Sequence, residues 1–195
     1  MHAASNNSNT PLDRWRRVAP RFTEVADAVP PERWSAPTPC DGWEARDIVR
    51  HLVDWVPPFL AAGAGVELAP GADVDVDPSG AWRSLADQLE RLLVDHPTDR
   101  FSDPRAGDHS LAAAIDRFVT SDVLIHTWDL ATATGQAVQL DEPIVVEAIA
   151  GMEPITDMLV ASGHYGVRVA VGADADPTSR LIALTGRDPT WTPSH

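Results

Sequence analysis

Lysine is absent from the 195 residues, and all 15 cations are arginine. That excludes Schiff-base chemistry and a phosphate-loop lysine, and it hints at a GC-rich bacterial genome. Cysteine is nearly absent too: Cys40 stands alone, so no intramolecular disulfide can form, and a reducing, cytoplasmic setting is expected. No apolar run approaches the roughly twenty residues of a membrane-spanning helix. The opening "MHAASNNSNT" has neither the basic start nor the apolar stretch of a signal peptide. Positive charge is also scarce, with 29 acids against 15 arginines and a net charge of -14. Such a surface repels phosphate backbones, and no arginine cluster offsets it, so neither nucleic acid nor membrane is an expected partner.

What is present is enough chain for one well-filled domain. Residues 1–9 are small and polar and read as disordered, residues 10–163 as a helical bundle, and residues 164–195 as a C-terminal appendage packing on it. Thr10, Pro11 and Asp13 open a helix whose Leu12, Trp15, Val18, Phe22 and Val25 share one face. Asp41 and Glu44 have capping-box spacing, so a second helix is expected from about Gly42 past Val56, with a kink at Pro57 and Pro58. Its Ile48, His51, Leu52, Trp55 and Phe59 recur at helical spacing, which turns His51 inward. The long connection from Ala64 to Gly80 suggests a crossover, with Ser79 as the next cap. A third helix buries Trp82, Leu85, Leu89, Leu92 and Leu93. A fourth runs from about Ser110 to Thr134 and stops at Gly135, and a fifth runs from Glu142 to Ser162 with a bend at Pro154. In the tail, "YGVRVAV" alternates like a strand and "PTSRLIALTGR" reads as a short helix ended by Gly186. The fold class is therefore all-α: a bundle with crossovers plus a short strand and helix.

In "SDVLIHTWDLATATG", Asp122, His126 and Asp129 continue the stripe of core residues on the fourth helix. A carboxylate there costs several kcal/mol unless it is paired, hydrogen-bonded or bound to a cation. One reading is a buried Asp–His hydrogen bond or a salt bridge to Arg50 or Arg117. The other is a metal site: Asp122 and His126, one helical turn apart, can both reach one divalent ion, with His51 as third ligand from a facing helix. Two imidazoles and one carboxylate suit zinc, nickel or iron(II) and leave positions open for water or substrate.

The pairing of "CDGWEARDIVRHL" with "DVLIHTWDLATATG" resembles the DinB-like superfamily. It is most similar to the branch holding the N-terminal domain of mycothiol-dependent maleylpyruvate isomerase and many actinobacterial metal-binding proteins. The closing "ADADPTSRLIALTGRDP" is similar to the tail of one subgroup. The resemblance implies a four-helix bundle with long crossovers around one divalent metal, with His51 and His126 matching the two histidines. The isomerase pattern has glutamate one turn before the second histidine, where this chain has Asp122. Its shorter side chain leaves direct ligation, ligation through water, and a supporting role all open. Asp129 could orient an imidazole or form a plain salt bridge. Trp55 and Trp128 could wall the pocket or simply pack, and Trp43 is expected to anchor the preceding loop.

Two weaker signals are set aside. Asp73, Asp75 and Asp77 begin like a calcium loop, but Pro78 and Ser84 stand where it needs glycine and an acid. Cys40 has no visible base, and Asp41 beside it should raise its pKa, so it reads as turn filling. Family chemistry implies a low-molecular-weight thiol such as mycothiol bound at the open metal position and presented to a small electrophile. Maleylpyruvate isomerisation itself is not expected, because the isomerase carries a separate C-terminal domain. Arg180 and Arg187 are candidates for holding an acidic substrate, although Arg187 could instead cap a helix end. No catalytic base is identifiable. The competing class is a non-catalytic, metal-stabilised bundle that binds a small ligand or another subunit, with a homodimer as an open assembly.

Overall fold

The computed structural model describes residues 9–193. The expected disorder of residues 1–9 lies outside these except for Asn9, whose Nδ2 donates to both carboxylate oxygens of Glu147 at 2.8 Å.

Thr10 caps helix α1 (Pro11–Asp27) through a reciprocal box with Asp13, and Trp15, Val18, Phe22 and Val25 form its buried face. Helix α2 (Ala45–Ala64) starts later than the Asp41–Glu44 spacing implies, because Glu44 is the cap and Asp47 completes the box. Asp41 is unavailable: it sits in a turn in which Trp43 N donates to Cys40 O at 3.0 Å, with Gly42 at φ 78°. Pro57 and Pro58 lie within α2, and the helix continues past them to a left-handed stop at Gly65. Helix α3 (Pro78–Asp95) buries Trp82, Leu85, Leu89 and Leu93. Its cap is Asp77, not Ser79, whose hydroxyl donates instead to Ala26 O at 2.8 Å.

Polar contacts fix the helix directions. Arg46 and Arg50, in the first turns of α2, both reach Asp75 just before α3, so α2 and α3 start at the same end. The connection between them therefore returns along the length of α2, as the expected crossover requires. The Ser79 bond to the end of α1 makes α1 antiparallel to α3. Asp75 thus serves as an ion-pair partner and Asp77 as a helix cap.

A short hairpin that the sequence reading did not anticipate follows: β1 (Arg100–Asp103) pairs antiparallel with β2 (Gly107–Ser110), Phe101 opposite His109. Phe101 is buried, its ring centroid 4.7 Å from that of Phe59 on α2. Ser110 then caps α4 (Leu111–Ala114), a π-helical segment spans Ile115–Thr120, and α5 (Ser121–Thr134) runs to the left-handed Gly135. The single expected helix is therefore re-phased just before Asp122, since a π turn inserts an extra residue. Gln136 donates to Val25 O at 3.0 Å, so α5 ends where α1 ends. Helices α1 and α2 each pack on α3 and α5, which gives a four-helix bundle whose order around the core is α1, α3, α2, α5.

The expected fifth helix is broken at Pro154 into α6 (Glu142–Met152), a 3-10 turn over Glu153–Ile155 and α7 (Thr156–Ala161). "YGVRVAV" is not a strand. Gly166 N and Val169 N donate to Thr185 O and Ala183 O, so the end of helix α8 (Pro177–Leu184) takes the bonds that a partner strand would have taken. Helix α8 packs on α6 with Leu181, Ile182, Ala183 and Leu184 buried. No helix among the described residues is long and apolar enough to cross a membrane.

Candidate metal centre

The antiparallel packing of α2 on α5 sets the first half of α2 against the middle of α5. His51 Nε2 lies 3.0 Å from Asp122 Oδ2, and His126 Nε2 lies 3.4 Å from Asp122 Oδ1. Ligand atoms of His51, Asp122 and His126 fall within 4.8 Å of one another. The three expected ligands thus come together, two from α5 and one from α2. Trp55, one turn after His51, donates from Nε1 to Asp122 Oδ2 at 3.1 Å. The His51 side chain is 31% exposed and that of His126 only 4%, so the cluster opens on the His51 side.

Behind it, Asp129 is fully buried. Its Oδ2 lies 2.9 Å from His126 Nδ1, and Arg187 Nε donates to both of its oxygens at 2.8 and 2.9 Å. The arginine that meets the buried acids is therefore Arg187. Arg50 is engaged with Asp47 and Asp75, and Arg117 lies over the Phe118 ring. Arg180 is exposed on α8.

Three residues around the centre were not singled out for it by the sequence. Trp43 packs against the core, as a loop anchor should, and its ring also lies 5.1 Å from His51 and stacked 5.9 Å from His126. Trp128, by contrast a pocket-wall candidate of the sequence, lies two residues past His126 and so on the opposite side of α5, half-buried against the core. Cys40 Sγ is 3.6 Å from Asp129 Oδ2 and 3.4 Å from Arg187 Nη2. The "CDGW" turn brings Cys40 and Trp43 in together, and its Asp-Gly pair was the available signal. Tyr165 is the third, packed against the core.

Electrostatics agree with the contacts. Burial alone would raise Asp122, but His126, His51 and Arg187 outweigh it and hold the carboxyl below its usual range. Asp129 is likewise opposed by burial and held low by Arg187 and His126. Burial works against the Arg187 charge, yet Asp129 and Cys40 raise its pKa above the ordinary value. Burial pushes the Cys40 thiol up to about 12, with the Asp129 carboxylate, not Asp41, as the next cause. Burial and Asp122 raise the Tyr165 hydroxyl.

Cys40, His126 and Asp129 form a second group whose ligand atoms lie close together. The Arg187 guanidinium already touches two of its members, so a positive group occupies the place a cation would take. Among the described residues no arginine does so around Asp122, whose ionic partners are His51 and His126. With His126 Nδ1 donating its proton to Asp129, Nε2 meets Asp122 Oδ1 as lone pair against carboxylate unless a proton or metal ion lies between them. Two imidazole nitrogens and a carboxylate converging in this way fit a divalent ion of the zinc, nickel or iron(II) type.

Two curated relatives, uncharacterised proteins from two strains of Mycobacterium tuberculosis, are each 28% identical over 152 residues, 72% of this chain and 76% of theirs. No solved structure gives a significant match. The family profile described as the mycothiol maleylpyruvate isomerase N-terminal domain matches residues 15–131, a span running from Trp15 of α1 through His51, Asp122, His126 and Asp129. The chain belongs to the mycothiol maleylpyruvate isomerase N-terminal domain family, with its DinB-like all-α fold.

Proposed function

We propose that this chain binds one divalent metal ion through His51, Asp122 and His126 and uses it to activate a low-molecular-weight thiol, mycothiol in the family's case, toward a small electrophile. The observation that carries the reading is the convergence of His51 Nε2 and His126 Nε2 on the two oxygens of Asp122, with the far nitrogen of His126 already held by Asp129. Zinc is the first choice for this donor set, with nickel and iron(II) next. When bound, the ion would lower the pKa of a coordinated thiol and favour its thiolate at neutral pH.

The chain's own residues supply the rest. Trp55 and His51 restrain Asp122 Oδ2, so that the shorter aspartate is presented from a fixed position. Trp43 and Trp55 give the His51 side of the centre aromatic walls against which an apolar electrophile can rest. Arg187 is committed to Asp129 and is not free to hold an acidic substrate, which argues against a dicarboxylate substrate.

A second reading keeps the metal but not the catalysis: a bundle stabilised by the ion, binding a small ligand or a second subunit. The commitment of Arg187 also favours it, because among the described residues no further base or free cation adjoins the ligands. Elemental analysis of protein purified without an affinity tag tests the shared premise. A metal-free product that takes up no zinc, and whose His51→Ala and His126→Ala variants unfold like the parent, overturns both readings. Given bound metal, thiol-dependent consumption of an electrophile, lost in the same variants, separates enzyme from scaffold.

A further inference from the structure

Arg187 lies near the far end of the chain from the metal ligands and well beyond the family match, yet its side chain is only 12% exposed and faces them. It joins three separate segments. Nε bridges both oxygens of Asp129 on α5, Nη2 reaches Cys40 Sγ in the turn before α2, and Nη1 donates at 3.4 Å to Thr185 O at the end of α8. Asp129 then meets His126 Nδ1, and the opposite nitrogen of that ring faces Asp122.

We infer that Arg187 is a positioning residue of the metal centre, fixing through Asp129 which nitrogen of His126 carries the proton and where its Nε2 points. This rests on the metal reading proposed above. An imidazole has two tautomers, and only the one with its proton on Nδ1 offers Nε2 as a ligand. Asp129 selects that tautomer only while its Oδ2 is turned toward the ring. The guanidinium holds that carboxylate in place: Nε lies against both oxygens, and Nη2 reaches Cys40 Sγ, which itself lies 3.6 Å from Oδ2. The tail is thus part of the centre: the segment from Tyr165 to Arg187 closes on the bundle and delivers the group that aims a ligand more than fifty positions earlier in the chain.

Two readouts on the full-length protein test this: Co2+ titration followed by visible absorption, and the 15N shifts of the His126 ring in metal-free protein. In the parent the proton is expected on Nδ1. In Arg187→Gln a mixture of tautomers and roughly ten- to hundredfold weaker Co2+ binding are expected, the range seen when groups behind metal-bound histidines are removed. Arg187→Lys should recover part of that affinity. Asp129→Asn gives a sharper outcome. Arg187 will engage the amide oxygen, the amide nitrogen will face His126 Nδ1, and the proton must move to Nε2, abolishing Co2+ binding.

Retention of the Nδ1 proton and of parental Co2+ affinity in Arg187→Gln, or of the Nδ1 proton in Asp129→Asn, overturns the inference. Thermal unfolding recorded alongside identifies any variant that fails to fold; the remaining variants then decide. Failure of the metal reading looks different, because the parent itself would then bind no Co2+ while the tautomer measurement still judges Arg187.

Discussion

Gly186 lies backbone to backbone against Gly166: a Cβ built on Gly186 would stand 2.4 Å from the Cα of Gly166. Gly186 also has φ 85°, a left-handed conformation that costs other residues about 1 kcal/mol or more. The contact matters because the neighbours of the two glycines in sequence are Tyr165 and Arg187. Gly186→Ala is therefore expected to cost more than about 2 kcal/mol, combining the strained φ with a backbone clash that no rotamer relieves. Gly135→Ala supplies the comparison. Its φ is 74° but nothing lies within 4 Å of the added methyl, so only the conformational cost of about 1 kcal/mol should appear. Denaturant midpoints of the two variants measure the difference, and equal losses would show that the 166–186 contact is slack.

Trp55→Phe keeps an aromatic body but deletes the Nε1–H that Asp122 Oδ2 accepts at 3.1 Å. A hydrogen bond to a charged, largely buried group contributes about 1.5–3 kcal/mol, so a loss in that range is expected by chemical denaturation. If the variant is as stable as the parent, Asp122 is not restrained by Trp55.

The helices that build the bundle were legible because their signals are local: a Thr10 cap, apolar residues at spacings of three and four, Gly135 as a stop. His51, Asp122 and His126 were legible for the same reason, as polar groups standing on core stripes. What escaped was decided by competition or by distance. Asp41–Glu44 and Glu44–Asp47 have the same spacing, and the Asp-Gly turn removed the first pair from contention. The apparent strand after Tyr165 alternates correctly but has no partner edge among the described residues, so its donors went to carbonyls at the end of α8. Cys40 and Trp43, and Arg187 as the partner of Asp129 rather than as a substrate holder or helix cap, reach the centre only after the chain has closed on itself. No spacing rule links them to His126.

Cys40 should be inert in the native protein. Burial and the Asp129 carboxylate push its thiol up to about 12, leaving a thiolate fraction at pH 8 about a thousandfold below that of a free cysteine. Alkylation by iodoacetamide at pH 8 is expected to be slower by about that factor in native than in urea-unfolded protein. Comparable rates would place Cys40 in an open, activated environment instead.

Asp122 and Asp129 make stability depend on acid pH, with a definite sign. Both carboxyls are held below their unfolded value of about 3.9, so between the folded and unfolded values the unfolded chain binds more protons and stability rises with pH. Their contribution is complete above the ordinary carboxylate range and is lost as pH falls through the folded values. Unfolding midpoints should therefore drop steeply below about pH 4. Asp129→Asn should be less stable at neutral pH, because Arg187 loses its buried counter-charge, yet flatter in the acid window. Parallel pH profiles for the two proteins would show that Asp129 titrates normally.

Asp122→Asn separates the two explanations for a carboxylate among core residues. The amide is isosteric, its oxygen can still accept from Trp55, and the cost of holding a charge in a largely buried place disappears. If Asp122 serves only the hydrogen bonds to His51 and Trp55, the substitution changes stability modestly and zinc affects neither protein. If it is a metal ligand, zinc stabilises the parent alone. At a free zinc concentration about a hundred times the dissociation constant, linkage predicts about 2.7 kcal/mol, and for a domain of this size each kcal/mol moves the midpoint by about 2–4 °C. The expected outcome is a rise of roughly 5–10 °C in the parent on adding zinc, reversed by a chelator, and little or none in Asp122→Asn, measured by thermal unfolding. An equal zinc-dependent rise in both proteins would remove Asp122 from the ligand set and leave the two histidines to hold the ion without it.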